Sequence, residues 1–326
     1  MNVVLTGSTG HVGYALLLKL IERGWNVTVL LRRPDDRITA LGCTPAIGDV
    51  TDRESLCRAF AGADAVFHSA GMVEISKGAE EMTWKVNYQG TLNVIDACRQ
   101  CGVKKLVYLS SVDAMAPLPG NELMTEADNK FNPDIVEGTY AKTKASATAR
   151  VLAEQGEGLD VYVVQPSACI GPYDFKVSSA GVFVRMFIKG KMPVTMTFGG
   201  YNFVDVRDVA EGACLALEKG APGQCWFLCG EQISVDGLIR TLCKITGRKY
   251  PKIKLSKGFC TAVAPLTEKY YALTKQTPLF TPYSIRKLCA NGNYSIEKAR
   301  MELGYSPMSV EQSMRDMIDW INENKK

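Results

Sequence analysis

Short apolar runs alternate along the first half of the chain with longer stretches whose apolar positions return every three or four residues. Val3-Val4-Leu5, Val27 to Leu31, Gly42 to Ile47, Ala65 to His68, Lys105 to Leu109 and Val161 to Val164 read as successive strands. Between them, Tyr14 to Arg23, Met82 to Arg99 and Gly138 to Gln155 read as helices. Strands that are apolar at consecutive positions are buried on both faces, which belongs to parallel sheets. The alternation therefore predicts an α/β fold, a doubly wound parallel sheet with helices on both sides.

After Pro166 the rhythm becomes less regular: Gly171-Pro172 and Gly199-Gly200 mark turns, and Phe203 to Ala210 resumes a strand-then-helix pattern. Beyond Val235 come Pro251, Pro265, Pro278 and Pro282, then two helical patterns, Ser295 to Leu303 and Val310 to Asn322. No internal repeat or low-complexity linker is visible. A length of 326 residues suits about two domains.

The candidate chemistry lies at the ends of the predicted strands. Thr6-Gly7-Ser8-Thr9-Gly10-His11-Val12-Gly13 joins the first strand to the first helix. A strand, a glycine-rich turn and a helix form a phosphate cradle, because glycine lets the backbone approach the ligand and the helix N-terminus favours negative charge. Ser110-Ser111 follows the fifth strand, and Tyr140 and Lys144, four apart, share one helix face. In dinucleotide folds an acidic residue after the second strand binds the adenosine ribose of NAD, whereas an arginine there suits the extra phosphate of NADP. This chain has Arg32-Arg33, which favours NADP(H), while Asp35 and Asp36 leave NAD(H) possible.

With TGxxGxxG, a serine and YxxxK present in order, the chain resembles the extended short-chain dehydrogenase/reductase superfamily (the NAD-dependent epimerase/dehydratase type) along nearly its whole length. It looks most like the dihydroflavonol-4-reductase and 3β-hydroxysteroid dehydrogenase branch. The arginines, Ser110-Ser111-Val112-Asp113-Ala114 and Leu279-Phe280-Thr281-Pro282-Tyr283 carry that likeness. The resemblance implies a Rossmann-type sheet with a smaller, interleaved C-terminal substrate lobe. Residues 1–166 would bind the dinucleotide, with 203–232 returning to that domain, and 167–202 and 233–326 would mainly form the lobe.

It also implies the roles. Gly7, Thr9, Gly10, His11, Val12 and Gly13 would hold the cofactor with Arg32 and Arg33. Asp49 and Val50 would lie beside adenine, Ser69, Ala70 and Gly71 in the turn after the fourth strand, and Pro166 and Ser167 over the nicotinamide. Relatives often show Asn-Ala-Ala where this chain has His68-Ser69-Ala70. Asn87 resembles an asparagine that holds the backbone near the site. Tyr140 would exchange the proton, Ser111 would bind the substrate oxygen, and Ser110 would turn into the fold. Lys144 would hold the nicotinamide ribose and lower the Tyr140 pKa from its ordinary ~10, since a cation ~4 Å away contributes about 4 kcal/mol at an effective dielectric of ~20.

The expected activity is NADP(H)-dependent interconversion of a ketone or aldehyde with an alcohol on a small organic molecule. The alternatives are a nucleotide-sugar epimerase or dehydratase holding NAD tightly, or a dinucleotide-sensing regulator without catalysis. Composition adds exclusions. The net charge of +4 is mild and scattered, which argues against nucleic acid as a partner. No apolar run approaches the ~20 residues of a membrane span. The first strand starts almost at Met1, so a cytoplasmic protein is expected. The 11 cysteines are dispersed among apolar segments and only two histidines accompany them, so they read as free thiols with no metal site. Asp113 and His11 do not suggest a hydrolase triad, because no Gly-x-Ser-x-Gly elbow exists. A homodimer through the two long helices is plausible.

Overall fold

The computed structural model describes residues 1–73, 78–274 and 281–324. Its main sheet contains seven strands, β1 (Asn2–Thr6), β2 (Asn26–Leu31), β3 (Thr44–Ile47), β4 (Ala65–His68), β5 (Lys105–Leu109), β6 (Asp160–Pro166) and, from much later in the chain, Gln224–Leu228. Three strands outside the main sheet precede that last one, β7 (Ala168–Ile170), β8 (Val194–Met196) and β9 (Gly200–Asp205), so Gln224–Leu228 is β10. β11 (Glu231–Ser234) and β12 (Ile253–Leu255) follow. The main order is β3-β2-β1-β4-β5-β6-β10, and every neighbouring pair is parallel. Strand order reverses at β1, so the carboxyl ends of β1 and β4 open a crevice at the topological switch point.

Local sequence explains the layers. The helix His11–Glu22 buries Ala15, Leu16, Leu17 and Leu20 on one face of the sheet. It shares that core with Val209, Ala210, Ala213 and Leu217 of the helix Val206–Lys219, whose N-cap Asp205 accepts from the Arg207 amide. On the opposite face lie Leu56 and Phe60, Val94, Ile95 and Cys98, and Val151, from three further helices. Three strands, β7-β9-β11, and two, β8-β12, build the smaller sheets. Around them pack Val184, Phe187, Leu238, Leu242, Met314 and Ile318.

Two elements differ from the sequence reading. Met82 to Arg99 is not one regular helix: Glu80–Trp84 leads into a π-helical turn, Lys85–Gln89, before Gly90–Cys101 resumes α geometry. Such turns cluster at functional sites, and Asn87 sits within this one. The proline-rich stretch also holds a helix, Lys257–Thr274, that runs through Pro265. Pro278, Leu279 and Phe280 lie outside the described residues. Among the described residues no helix is long and apolar enough to cross a membrane, and no three His, Cys, Asp or Glu side chains gather as metal ligands. All 11 cysteines are free thiols.

Candidate active site

The glycine turn fills the crevice. Gly7 has φ +81°, and a Cβ there would lie 2.6 Å from the Ala70 nitrogen. At Gly13 a Cβ would lie 2.0 Å from the Gly7 carbonyl oxygen, so the helix can approach the turn only without a side chain. Gly10 caps the helix His11–Glu22 with no side-chain hydrogen bond. Its amide donates to Gly7 O, and the Tyr14 amide to Gly10 O. The amides of His11, Val12 and Gly13 find no acceptor among the described residues, as the first turn of a helix dictates. The Ser8 hydroxyl is also buried without a partner. These unclaimed donors fit the pyrophosphate of a dinucleotide.

Around the turn the chain presents cations. Arg32 and Arg33, exposed just past β2, make no ion pair among the described residues. Asp35 is committed: its carboxylate holds Arg37 (2.7 Å) and caps the short helix Asp36–Thr39. The Arg37 hydrogen bond, above all, holds the Asp35 pKa below the usual carboxylate range. Asp49, past β3, accepts from the Thr51 amide and hydroxyl at 2.8 and 2.9 Å. Val50 is buried in the core.

The turn after β4 is fixed from below. Ser69 N donates to Thr6 O, and Ala70 N to Thr6 Oγ1 (3.3 Å). His68 is fully buried rather than facing the crevice. Thr91 Oγ1 donates to Asn87 O (2.7 Å), so it accepts from His68 Nε2 (3.0 Å). His68 Nδ1 then accepts from Thr6 Oγ1 (2.7 Å). Burial first, and the Lys144 charge second, push the His68 pKa down to about 3, so the ring is neutral. Asn87 clamps the same loop: its Oδ1 accepts from Met72 N (2.7 Å), and its Nδ2 donates to Met72 O (3.0 Å) and Thr143 Oγ1 (3.1 Å).

Ser111, Tyr140 and Lys144 converge beyond the carboxyl end of β5. The Ser111 hydroxyl accepts from Asp113 N (3.1 Å), capping the turn Val112–Ala114. Ser110 instead turns inward to Thr148 (2.6 Å). Tyr140 begins the helix Thr139–Leu152, and burial of its phenol, followed by the Asp113 carboxylate, raises its pKa; the nearby Ser111 hydroxyl opposes this. This reverses the expectation that Lys144 lowers it. The physical reason is burial: Lys144 itself is pushed down to about 7. Its ammonium donates to Leu109 O (2.5 Å) and Tyr108 OH (3.1 Å) and stands 4.6 Å from the Tyr108 ring centre. At β6 the Ser167 hydroxyl donates to Asn202 Oδ1 (2.7 Å), which leaves backbone as what Pro166 and Ser167 offer the crevice.

A glycine turn at the switch point and a Ser–Tyr–Lys group at the neighbouring strand end accompany a match of residues 3–229 to the model of the NAD dependent epimerase/dehydratase family. The chain belongs to that family. "Sterol demethylase protein B" of Methylococcus capsulatus is 32% identical over 99% of this chain and 99% of its own length. A "putative dihydroflavonol 4-reductase" of Synechocystis is 30% identical, covering 98% of this chain and 94% of that one. The crystal structure of gox2253 superposes with a TM-score of 0.85 at 31% identity, over 99% of this chain and 98% of that one. As an extended short-chain dehydrogenase/reductase, this family member is an NAD(P)-dependent oxidoreductase whose cofactor is a nicotinamide dinucleotide.

The family member also brings to its site residues that sequence reasoning missed. Lys287 pairs with Asp113 (2.6 Å), which accounts for Asp113, while His11 Nε2 donates to Pro172 O (2.8 Å), so no triad forms. Tyr283 packs against Gly138, just before the Tyr140 helix, and Tyr201 feels the Asp113 charge. A cavity of about 590 Å³ lies alongside, lined by Asn121, Phe198, Ile233, Lys257, Leu288 and Cys289. No single motif marks these residues, because they come from separate elements: Tyr201 from β9, Ile233 from β11, and Tyr283, Lys287 and Leu288 from the helix Pro282–Leu288.

Proposed function

We propose that the protein reduces a ketone or aldehyde, or oxidises the corresponding alcohol, on a small organic molecule, with NADP(H) as the preferred cofactor. The observation that carries the reading is the convergence of Ser111 and Tyr140 beside an anion-binding turn flanked by two unpaired arginines. When bound, the nicotinamide exchanges hydride with the substrate carbon. The Tyr140 hydroxyl would give its proton to the developing alkoxide oxygen, and Ser111 would donate a hydrogen bond to that oxygen. A phenol whose pKa is raised is protonated at neutral pH, which suits it to donate. Lys144, anchored on Leu109 O, would hold the nicotinamide ribose. Arg32 and Arg33 would hold the adenosine phosphate.

The substrate class follows from the cavity and the relatives. About 590 Å³ is room for a multi-ring ligand. Phe198, Ile233 and Leu288 give it apolar walls, and the two relatives carry names that refer to a sterol and to a dihydroflavonol. A fused-ring ketone is therefore the preferred substrate. The test is a calorimetric titration of nucleotide-stripped protein with NADPH and NADH, then a turnover screen of cyclic ketones and simple aldehydes. Preference for NADPH with ketone-dependent oxidation is expected. Tightly retained NAD with no carbonyl turnover would move the reading to a sugar epimerase.

A further inference from the structure

The segment Gly171 to Ser178 leaves the smaller sheet and crosses the glycine turn as a strap. It is pinned on the turn side and the lobe side. His11 Nε2 donates to the carbonyls of Pro172 (2.8 Å) and Gly171 (3.2 Å). Buried Asp174 accepts from the Ser178 amide (2.8 Å) and hydroxyl (3.1 Å). Tyr14 packs on Tyr173 and Phe175, and Phe175 meets Trp320 edge-on at 5.0 Å. Arg37 stacks over the Phe175 ring at 4.6 Å. Tyr173 and Val177 are held at positive φ, 71° and 49°, which non-glycine residues rarely adopt.

The strap carries Lys176 to the adenosine side of the cradle. Its ammonium donates to Thr9 Oγ1 at 2.9 Å. An ammonium has three N–H groups, and among the described residues Thr9 is its one hydrogen-bond partner, so two donors remain unspent. No free carboxylate compensates the charge, since Asp35 is bound to Arg37. Partial burial of its ammonium, then Arg32 and Arg37, push the Lys176 pKa down, against an opposing pull from Asp35. Like charges crowded together without an anion are a ready-made site for one.

We propose that Lys176 is the specificity-determining third cation of the cofactor site, closing with Arg32 and Arg33 on the 2′-phosphomonoester of NADP(H). This rests on the NADP reading above. Arg37, from the short helix after β2, stacks on Phe175 next to Lys176, so a cation tethered to Thr9 faces the same corner as Arg32. It arrives from the opposite lobe, which lets the phosphate be gripped from two sides. The rigid strap limits the freedom lost when it does so.

The test compares Lys176→Met and Lys176→Arg with wild type in direct titrations of NADPH, NADH, 2′,5′-ADP and 5′-ADP. Lys176→Met should weaken NADPH and 2′,5′-ADP about tenfold, ~1.4 kcal/mol, while NADH and 5′-ADP change less than twofold. Lys176→Arg should keep most of the affinity, and the salt dependence of NADPH binding should become shallower in the methionine variant. Because Lys176 is exposed, neither change threatens folding. Equal losses for NADPH and NADH would place Lys176 on the pyrophosphate and overturn the proposal, as would no loss at all. The wild-type NADPH to NADH ratio judges the NADP reading separately: a wild type that prefers NADPH with a ratio untouched by Lys176→Met sinks the proposal alone.

Discussion

Asn87 offers the sharpest test of how the site is held. It is 2% exposed and makes three hydrogen bonds, two with the Met72 backbone and one to Thr143 Oγ1. The Thr143 hydroxyl in turn donates to Tyr140 O at 2.8 Å. A single π turn thus ties the loop after β4 to the first turn of the tyrosine helix. Asn87→Ala removes all three bonds and orphans the Met72 amide. At about 1 kcal/mol net for each bond, the loss of folding stability should be ~3 kcal/mol. Asn87→Asp keeps the acceptor for Met72 N but sets a carboxylate against Met72 O and draws the Thr143 hydroxyl proton away from Tyr140 O, so it should also destabilise. Because displacement of a reacting group by ~1 Å can cost about 100-fold, kcat should fall by tenfold or more, with weaker nucleotide binding. Urea unfolding, nucleotide titration and steady-state NADPH oxidation read the three effects. Stability within ~0.5 kcal/mol of wild type would refute the hydrogen-bond argument. A ~3 kcal/mol loss with kcat and nucleotide affinity intact would reduce Asn87 to packing.

The other expectations are simpler. Tyr140→Phe should abolish turnover while nucleotide titrations stay within about twofold of wild type; comparable turnover would remove Tyr140 from the chemistry. Arg32→Ala should cut the NADPH to NADH affinity ratio by tenfold or more, from the ~1.5–3 kcal/mol of a charge-assisted hydrogen bond, and an unchanged ratio would assign Arg32 to solvent. Asp208 has its pKa pushed up to about 6 from 3.8, by burial first and by Asp205 and Glu211 after it, against the Met308 amide and Arg207. Its native state therefore binds the proton more tightly than the unfolded state, so its contribution is full below pH ~4 and is lost as pH rises through about 6, a span worth on the order of 3 kcal/mol. Asp208→Asn should gain stability relative to wild type progressively from pH 4 to 7 in urea unfolding, and a difference that is flat with pH would contradict this.

The sequence was most legible where one residue class permits one geometry. The parallel strands were visible as consecutive apolar residues, and Gly7 and Gly13 as positions where backbone would meet a Cβ. Boundaries followed closely: β5 and the C-terminal helix start and end near their apolar runs. Less was visible where tertiary packing decides. Gln224–Leu228 holds only four apolar residues in a row, Cys225 to Leu228, a run too short to separate strand from helix. Pro265 argues against the helix that contains it. The π turn has no composition of its own. The electrostatics of Tyr140 could not be read from the four-residue spacing to Lys144, because desolvation of each group, a property of the whole fold, outweighs their mutual attraction. Lys176 belongs to a strap whose course depends on aromatic contacts with Tyr14, and Lys287 to a short helix, Pro282–Leu288, whose placement against Asp113 is a tertiary matter.

The late arrival of β10 has a consequence for how the protein is made. A nascent chain that has emerged as far as Pro166 has β6 as a bare sheet edge, with its ladder groups on that side unpaired. The helix His11–Glu22 at that stage lacks the Val209, Ala213 and Leu217 surface that covers it. Both defects are repaired only after residues 167 to 205 have been looped out and the chain has come back. Maturation of the nucleotide half therefore waits on synthesis of the other half. The two should unfold as one cooperative unit, and a lobe exchanged between relatives must be cut on both sides of the excursion rather than once.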